Sequence, residues 1–123
     1  MILLSWNVNG IRAVEKKGFL DWLDKESPDI LCVQETKCHP EQLNETLLKP
    51  RGYLTYWSSA QKKGYSGVAV FTKNKPKEIT DQLGKKEFDS EGRTLVLDYG
   101  DMVLFNIYFP NGSSGNARVP FKM

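Results

Sequence analysis

Three short runs of this chain end in residues equipped for polar chemistry: ILLSW leads into Asn7, ILCVQ into Glu35, and VLFNI into Tyr108. Glu35 is a hard oxygen donor, and one or two carboxylates completed by water and substrate phosphate is the usual way a protein holds Mg²⁺. Asn7 carries both a donor and an acceptor, so it can orient a carboxylate, a water or a phosphate oxygen. Tyr108 offers a hydroxyl to a phosphate oxygen. Together they predict metal-assisted phosphoester hydrolysis, with the ion as Lewis acid and template. The bland alternatives are a solvated Glu at a strand end and an Asn9-Gly10 turn present for purely local reasons. Ser5 and Ser66 have no base nearby in sequence, and the single histidine, His39, stands in a polar loop before Pro40. A hydrolase triad is therefore unsupported. Cys38-His39 is half of a metal pair with no second Cys/His pair to complete it.

Such residues need rigid elements to hold them. ILLSWNV (2–8) is a strand ended by Asn9-Gly10, and DILCVQ (29–34) is a second. Between them, 15–26 suits an amphipathic helix with Phe19, Leu20, Trp22 and Leu23 on one side, ended by Ser27-Pro28. Strand, helix and strand over about thirty residues predict a crossover and parallel pairing. A short helix follows Pro40, with Leu43, Leu47 and Leu48 inward. Residues 53–59, 67–73, 93–99 and 102–108 read as strands, the last two joined at Tyr99-Gly100-Asp101. A shorter strand is expected near Lys77 to Asp81. The class is α/β, a mixed β-sheet with flanking helices. In open α/β sheets ligands sit beyond the carboxyl ends of strands, where Asn7 and Glu35 fall.

A chain of 123 residues fits one domain and can bury roughly two-thirds of its unfolded surface. The net charge of +2 says little. Its distribution says more: Lys49, Arg51, Lys62, Lys63, Lys73, Lys75, Lys77, Lys85 and Lys86 face only Glu78 and Asp81 within 49–86. That stretch is either a surface for a polyanion or a set of solvated strand edges. Cys32 and Cys38 match no disulfide framework, which suits a reducing interior: cytoplasmic, or nuclear in a eukaryote. The start, Met1-Ile2-Leu3-Leu4, has neither a basic region nor a long apolar stretch, so no membrane partner is expected.

SWNVNGIRA (5–13), DILCVQETK (29–37), GYSGVAVFTK (64–73), EGRTLVLDYG (91–100) and NIYFPNG (106–112) occur in this order. With these segments the chain closely resembles the N-terminal half of the exodeoxyribonuclease III family of apurinic/apyrimidinic endonucleases, within the endonuclease/exonuclease/phosphatase superfamily. The resemblance implies half of a four-layer α/β-sandwich, in which two β-sheets pack face to face with helices outside. It implies that Glu35 is the Mg²⁺ ligand, with Mn²⁺ as the alternative ion, and that Asn7 helps organise the metal and the carboxylates. Tyr108 is similar to the tyrosine that contacts the scissile phosphate. Asn9, Arg12, Ala13, Lys37, Tyr65 and Asn111 fall where the family touches or approaches DNA. Phosphate contacts of this kind position a duplex rather than read its sequence. The implied partner is double-stranded DNA with abasic sites or 3′ ends, cut 5′ to the abasic site or trimmed 3′ to 5′.

The chain also departs from the family. Family members are about twice as long, and their remainder supplies a D-x-N motif and a late Asp-His pair. No D-x-N occurs here, since each Asp has another residue two places on. The expectation is that 1–123 is a truncated half domain, incomplete for catalysis alone, completed by a complementary C-terminal half or by self-association. The competing readings are a non-catalytic DNA-binding or interaction fragment, and a retroelement-type endonuclease or other phosphoesterase of the superfamily.

Overall fold

Alternation decides how each strand is used. In β2 (Ile30–Gln34), Leu31 and Val33 point to one face and Ile30 and Cys32 to the other, and these four are buried. A strand apolar on both faces has to lie between two layers. The computed structural model, which describes residues 1–60, 66–80 and 93–108, places it there. Beside β2 runs β1 (Leu3–Asn7), parallel to it as expected, with Asn7 opposite Gln34. On the other side β4 (Val68–Thr72) is antiparallel to β2 and pairs in turn with β3 (Leu54–Ser58). The order of this four-stranded mixed sheet is β1-β2-β4-β3. A separate three-stranded antiparallel sheet has the order β5-β6-β7, from β5 (Glu78–Thr80), β6 (Thr94–Asp98) and β7 (Val103–Ile107).

The helices cover the outer face of the mixed sheet. Ile11, Phe19, Leu23 and Leu47 bury themselves with Leu31, Val33, Ala69 and Phe71. Rings of Trp6, Phe19, Trp22, Phe71 and Trp57 form a chain of tilted and edge contacts 4.9–6.1 Å apart through this layer. The second core lies between the sheets, where Ile30, Cys32, Val68 and Val70 meet Leu95, Leu97 and Leu104. Helices, mixed sheet and second sheet thus form the layered α/β arrangement expected from the chain pattern. Fully burying each such aliphatic or aromatic side chain stabilises the fold by about 1.5–3 kcal/mol.

One expected element is different. In place of a single helix over 15–26 there are two, α1 (Ile11–Lys16) and α2 (Phe19–Glu26). Gly18 breaks them with φ +97°, and its N–H and that of Lys17 close α1 on Glu15 and Val14 carbonyls. Ile11 is wholly buried and starts α1 one turn earlier than the apolar cluster at 19–23 suggested. α2 ends at Ser27-Pro28 as expected, although Ser27 takes a left-handed conformation rather than the extended one usual before proline. After Pro40 come a 3-10 turn (Pro40–Gln42) and α3 (Glu45–Leu48), with Leu47 buried and Leu43 and Leu48 half-buried. Tyr99-Gly100-Asp101 turns β6 into β7, where Gly100 has φ +94° and its N–H bonds Asp98 Oδ1 at 2.8 Å. No helix among the described residues is long and apolar enough to cross a membrane.

Candidate active site

The bend after β2 is tightly constrained backbone. Glu35 and Lys37 both have left-handed φ, +56° and +57°, a conformation that costs a non-glycine residue about 1–3 kcal/mol. Hydrogen bonds from both flanks hold it. Gly10 N donates to Glu35 O at 2.7 Å and Ile11 N to Thr36 O at 3.0 Å; on the other side Thr36 N donates to Gly67 O and Lys37 N to Ser66 O. Gly67 sits so close that a Cβ there would lie 2.1 Å from Thr36 Oγ1. The turn therefore needs glycine for space as well as for its φ of +94°.

This bend throws the Glu35 side chain out of the strand alternation and toward Asn7. Asn7 Nδ2 donates to Glu35 Oε1 at 3.1 Å, and Asn9 N donates to Asn7 Oδ1 at 3.1 Å. Lys37 Nζ lies 3.6 Å from Glu35 Oε2 and also donates to Asn9 Oδ1. The Tyr108 hydroxyl, at the end of β7, hydrogen-bonds the same carboxylate from the second sheet. Partial burial pushes the Glu35 carboxyl up, but the bonds from Asn7 and Tyr108 and the Lys37 charge outweigh it and hold it below the usual range. The Glu35 side chain stays 21% exposed, so the ionised carboxylate is accessible. Behind it a cleft of about 440 Å³ opens between the edges of β1 and β7, lined by Ser5, Asn7, Gln34, Asn106 and Tyr108 among others.

The structure thus brings Asn7, Glu35, Tyr108, Asn9 and Lys37 into one cluster. Arg12 and Ala13 are exposed on the first turn of α1, directly after the Asn9-Gly10 turn. Tyr65 and Asn111 lie outside the described residues. The basic stretch fares differently. Lys49 and Arg51 precede β3, and Lys73, Lys75 and Lys77 follow β4, so all five stand at the Ile30 end of the sheet, away from Glu35. Lys73 is engaged there by Ser27. Two residues escaped the sequence reading: Gln34 and Asn106. Asn106 had a signal, because it falls in the buried phase of an otherwise apolar strand (Leu104 inward, Phe105 outward).

The donor set suits a hard divalent cation held by one carboxylate and completed by water or phosphate oxygens. Glu35 is ionised, partly exposed and oriented by Asn7. Among the described residues no group of three His, Cys, Asp or Glu side chains could hold a metal, so Glu35 is the sole protein carboxylate of the cluster. One Asn7 oxygen lone pair is taken by Asn9, which leaves Asn7 chiefly a carboxylate-orienting residue.

Comparison with known proteins bears on the same geometry. The family model described as "Endonuclease/Exonuclease/phosphatase family" matches residues 4–121. An exodeoxyribonuclease of Bacillus subtilis is 44% identical, over 100% of this chain and 48% of its own length. The DNA repair nuclease APEX1 of Danio rerio is 44% identical, over 99% of this chain and 40% of its own. Among solved structures, an AP endonuclease from Archaeoglobus fulgidus superposes with TM-score 0.75 at 30% identity, covering 89% of this chain and 41% of that one. A 3′ phosphatase, NExo, from Neisseria bound to a product DNA hairpin gives TM-score 0.78 at 26% identity, covering 96% of this chain and 46% of that one. The chain therefore spans less than half the length of these relatives, which are named as an exodeoxyribonuclease, a DNA repair nuclease, an AP endonuclease and a 3′ phosphatase. Its matched residues run through both sheets and the Asn7–Glu35–Tyr108 cluster, and it belongs to the endonuclease/exonuclease/phosphatase family.

Proposed function

We propose that this chain supplies the metal-holding half of a Mg²⁺-dependent DNA-repair nuclease that hydrolyses the phosphodiester 5′ to abasic sites and trims 3′ ends. The observation that carries the reading is the convergence of Asn7, Glu35 and Tyr108 from two different sheets on one ionised carboxylate. When bound, Mg²⁺ (or Mn²⁺) supplies Lewis-acid stabilisation of charge on the phosphate. Glu35 holds the ion through its carboxylate. Asn7 fixes the carboxylate rotamer by its bond to Oε1. Tyr108 Oη, at the cleft mouth, donates to Glu35 and is placed to turn toward a phosphate oxygen. Lys37, Asn9, Arg12 and Ala13 line the approach for the DNA backbone, and the family resemblance assigns Tyr65 and Asn111 to DNA contact as well. The family names of the relatives support a DNA substrate.

The cleft between β1 and β7 is where the complementary half seats, adding strands to two sheet edges that carry no partner strand among the described residues and supplying the residues that activate water. A second reading applies to the 123 residues alone: with Glu35 the sole carboxylate of its cluster among the described residues, the chain binds DNA without cutting it. The two free cysteines suit a cytoplasmic or nuclear setting. The test is Mg²⁺-dependent cleavage of an abasic-site duplex by the chain alone and mixed with the C-terminal half of a family nuclease. Cleavage is expected in the mixture and lost in Glu35→Gln, while the chain alone shows salt-dependent binding. Undiminished cleavage by Glu35→Gln would sink the reading, and preference for intact over abasic DNA would redirect it to a retroelement-type endonuclease.

A further inference from the structure

Behind the reactive cluster lies a second polar row that the proposed chemistry does not use. Asn106 is 2% exposed, yet it sits where β7 faces the apolar inter-sheet core. Its Oδ1 accepts from Gln34 Nε2 at 2.9 Å, and its Nδ2 donates to Val33 O at 3.2 Å and Ala69 O at 2.8 Å. Val33 and Ala69 are partners across β2 and β4, so one side chain of the second sheet grips two strands of the first. Gln34 Nε2 also donates to Ser5 Oγ at 3.0 Å, which extends the row to β1. An apolar side chain would fill this position with no desolvation penalty, so packing alone gives no reason for an amide here.

The row has a fixed offset from the reactive residues. Ser5 precedes Asn7 by two on β1, Asn106 precedes Tyr108 by two on β7, and Gln34 immediately precedes Glu35. Residues two apart on a strand share a face, so Ser5 and Asn106 stand behind Asn7 and Tyr108, and Gln34, bonded to both Ser5 and Asn106, spans between them beside the Glu35 bend. Apolar packing between sheets is non-directional and tolerates a slide of one sheet over the other. Hydrogen bonds do not. At the opposite end of the interface the sheets are tied by Tyr99 Oη to Thr72 Oγ1 at 2.9 Å.

We propose that Asn106, with Gln34, is a positioning latch that sets the second sheet's register and so holds Tyr108 on Glu35. Its catalytic meaning rests on the nuclease reading above, but its geometry does not. The test uses Asn106→Leu and Asn106→Asp in the full chain. The isosteric Asp keeps an acceptor for Gln34 but loses both donations to the carbonyls. By NMR, the Asn7 side-chain amide and Tyr108 ring resonances are expected to shift and broaden, while Tyr99 at the far end stays in place. Mn²⁺ affinity is expected to fall at least about 10-fold, as it does when groups that orient a metal ligand are removed. A folded variant with unmoved Asn7 and Tyr108 resonances overturns the latch, whatever its loss of thermal stability. If Asn106→Leu does not fold, Gln34→Met carries the same expectation, because it removes both lateral bonds and leaves the carbonyl bonds intact. Failure of the parent chain to bind Mn²⁺ overturns the metal reading and leaves the latch to be decided by the two resonances.

Discussion

At the scale of the residue, Glu35 is governed by a contest between burial and three partners. Burial raises its pKa; Asn7, Tyr108 and Lys37 lower it by more. A carboxyl whose folded pKa lies below its unfolded value stabilises the native state above the unfolded titration, and that contribution is lost as pH falls through the folded value. Tyr108→Phe is therefore expected to raise the Glu35 pKa toward that of an ordinary glutamate and move the acid loss to higher pH. Carboxyl carbon NMR across pH 2–7 measures this, and an unchanged value would remove Tyr108 from the account. The cysteines show the opposite case. Burial pushes Cys32 up to about 12 and Cys38 to about 11, the latter despite the nearby Arg12. Native protein at neutral pH should react with iodoacetamide only on the timescale of unfolding, and prompt labelling of either thiol would contradict their burial.

At the scale of the element, the bend at Glu35–Lys37 depends on Gly67. A Cβ at that position meets Thr36 Oγ1 and an unfavourable φ together. Gly67→Ala is expected to lower stability by about 2–4 kcal/mol, measured by urea unfolding, and to displace Glu35. A loss under about 0.5 kcal/mol, the level of a neutral surface change, would mean that the bend can relax. Such elements were unevenly legible in the chain. The strands were readable because their apolar runs are short and bounded by Gly, Pro and Asn, and β2 and β4 are buried on both faces. The α1–α2 break was not, because Ile11 and Val14 alone give too little periodicity to separate a one-turn helix from a loop. Glu35, Asn7 and Tyr108 could be found as strand-end polar residues. The inner row could not be found whole: Asn106 stood out in the buried phase of its strand, but the hydrogen bond that Gln34 donates to it depends on how two sheets face each other, and strand alternation carries no information on that.

At the scale of the whole molecule, the second sheet leaves Phe105 56%, Val103 49% and Ile79 44% exposed, and β1 leaves Leu3 49% exposed beside the open cleft. Apolar surface beside sheet edges that have no partner strand among the described residues favours association. The isolated chain is expected to self-associate at micromolar concentration and to become monodisperse when a complementary half is added. Sedimentation velocity checks this, and a sharp monomer at high concentration would refute it. The two-sided hold on the Glu35 bend has a kinetic consequence as well. Its hydrogen bonds join the 8–11 loop, the 34–37 bend and the 66–67 turn, which are far apart in sequence, so the site exists only after both long closures are made. Releasing either flanking loop leaves the strand ladders in place but dissolves the constellation. On heating, function should therefore disappear before the far-ultraviolet signal does, because the chemistry depends on loop contacts that can open locally while the strand ladders persist.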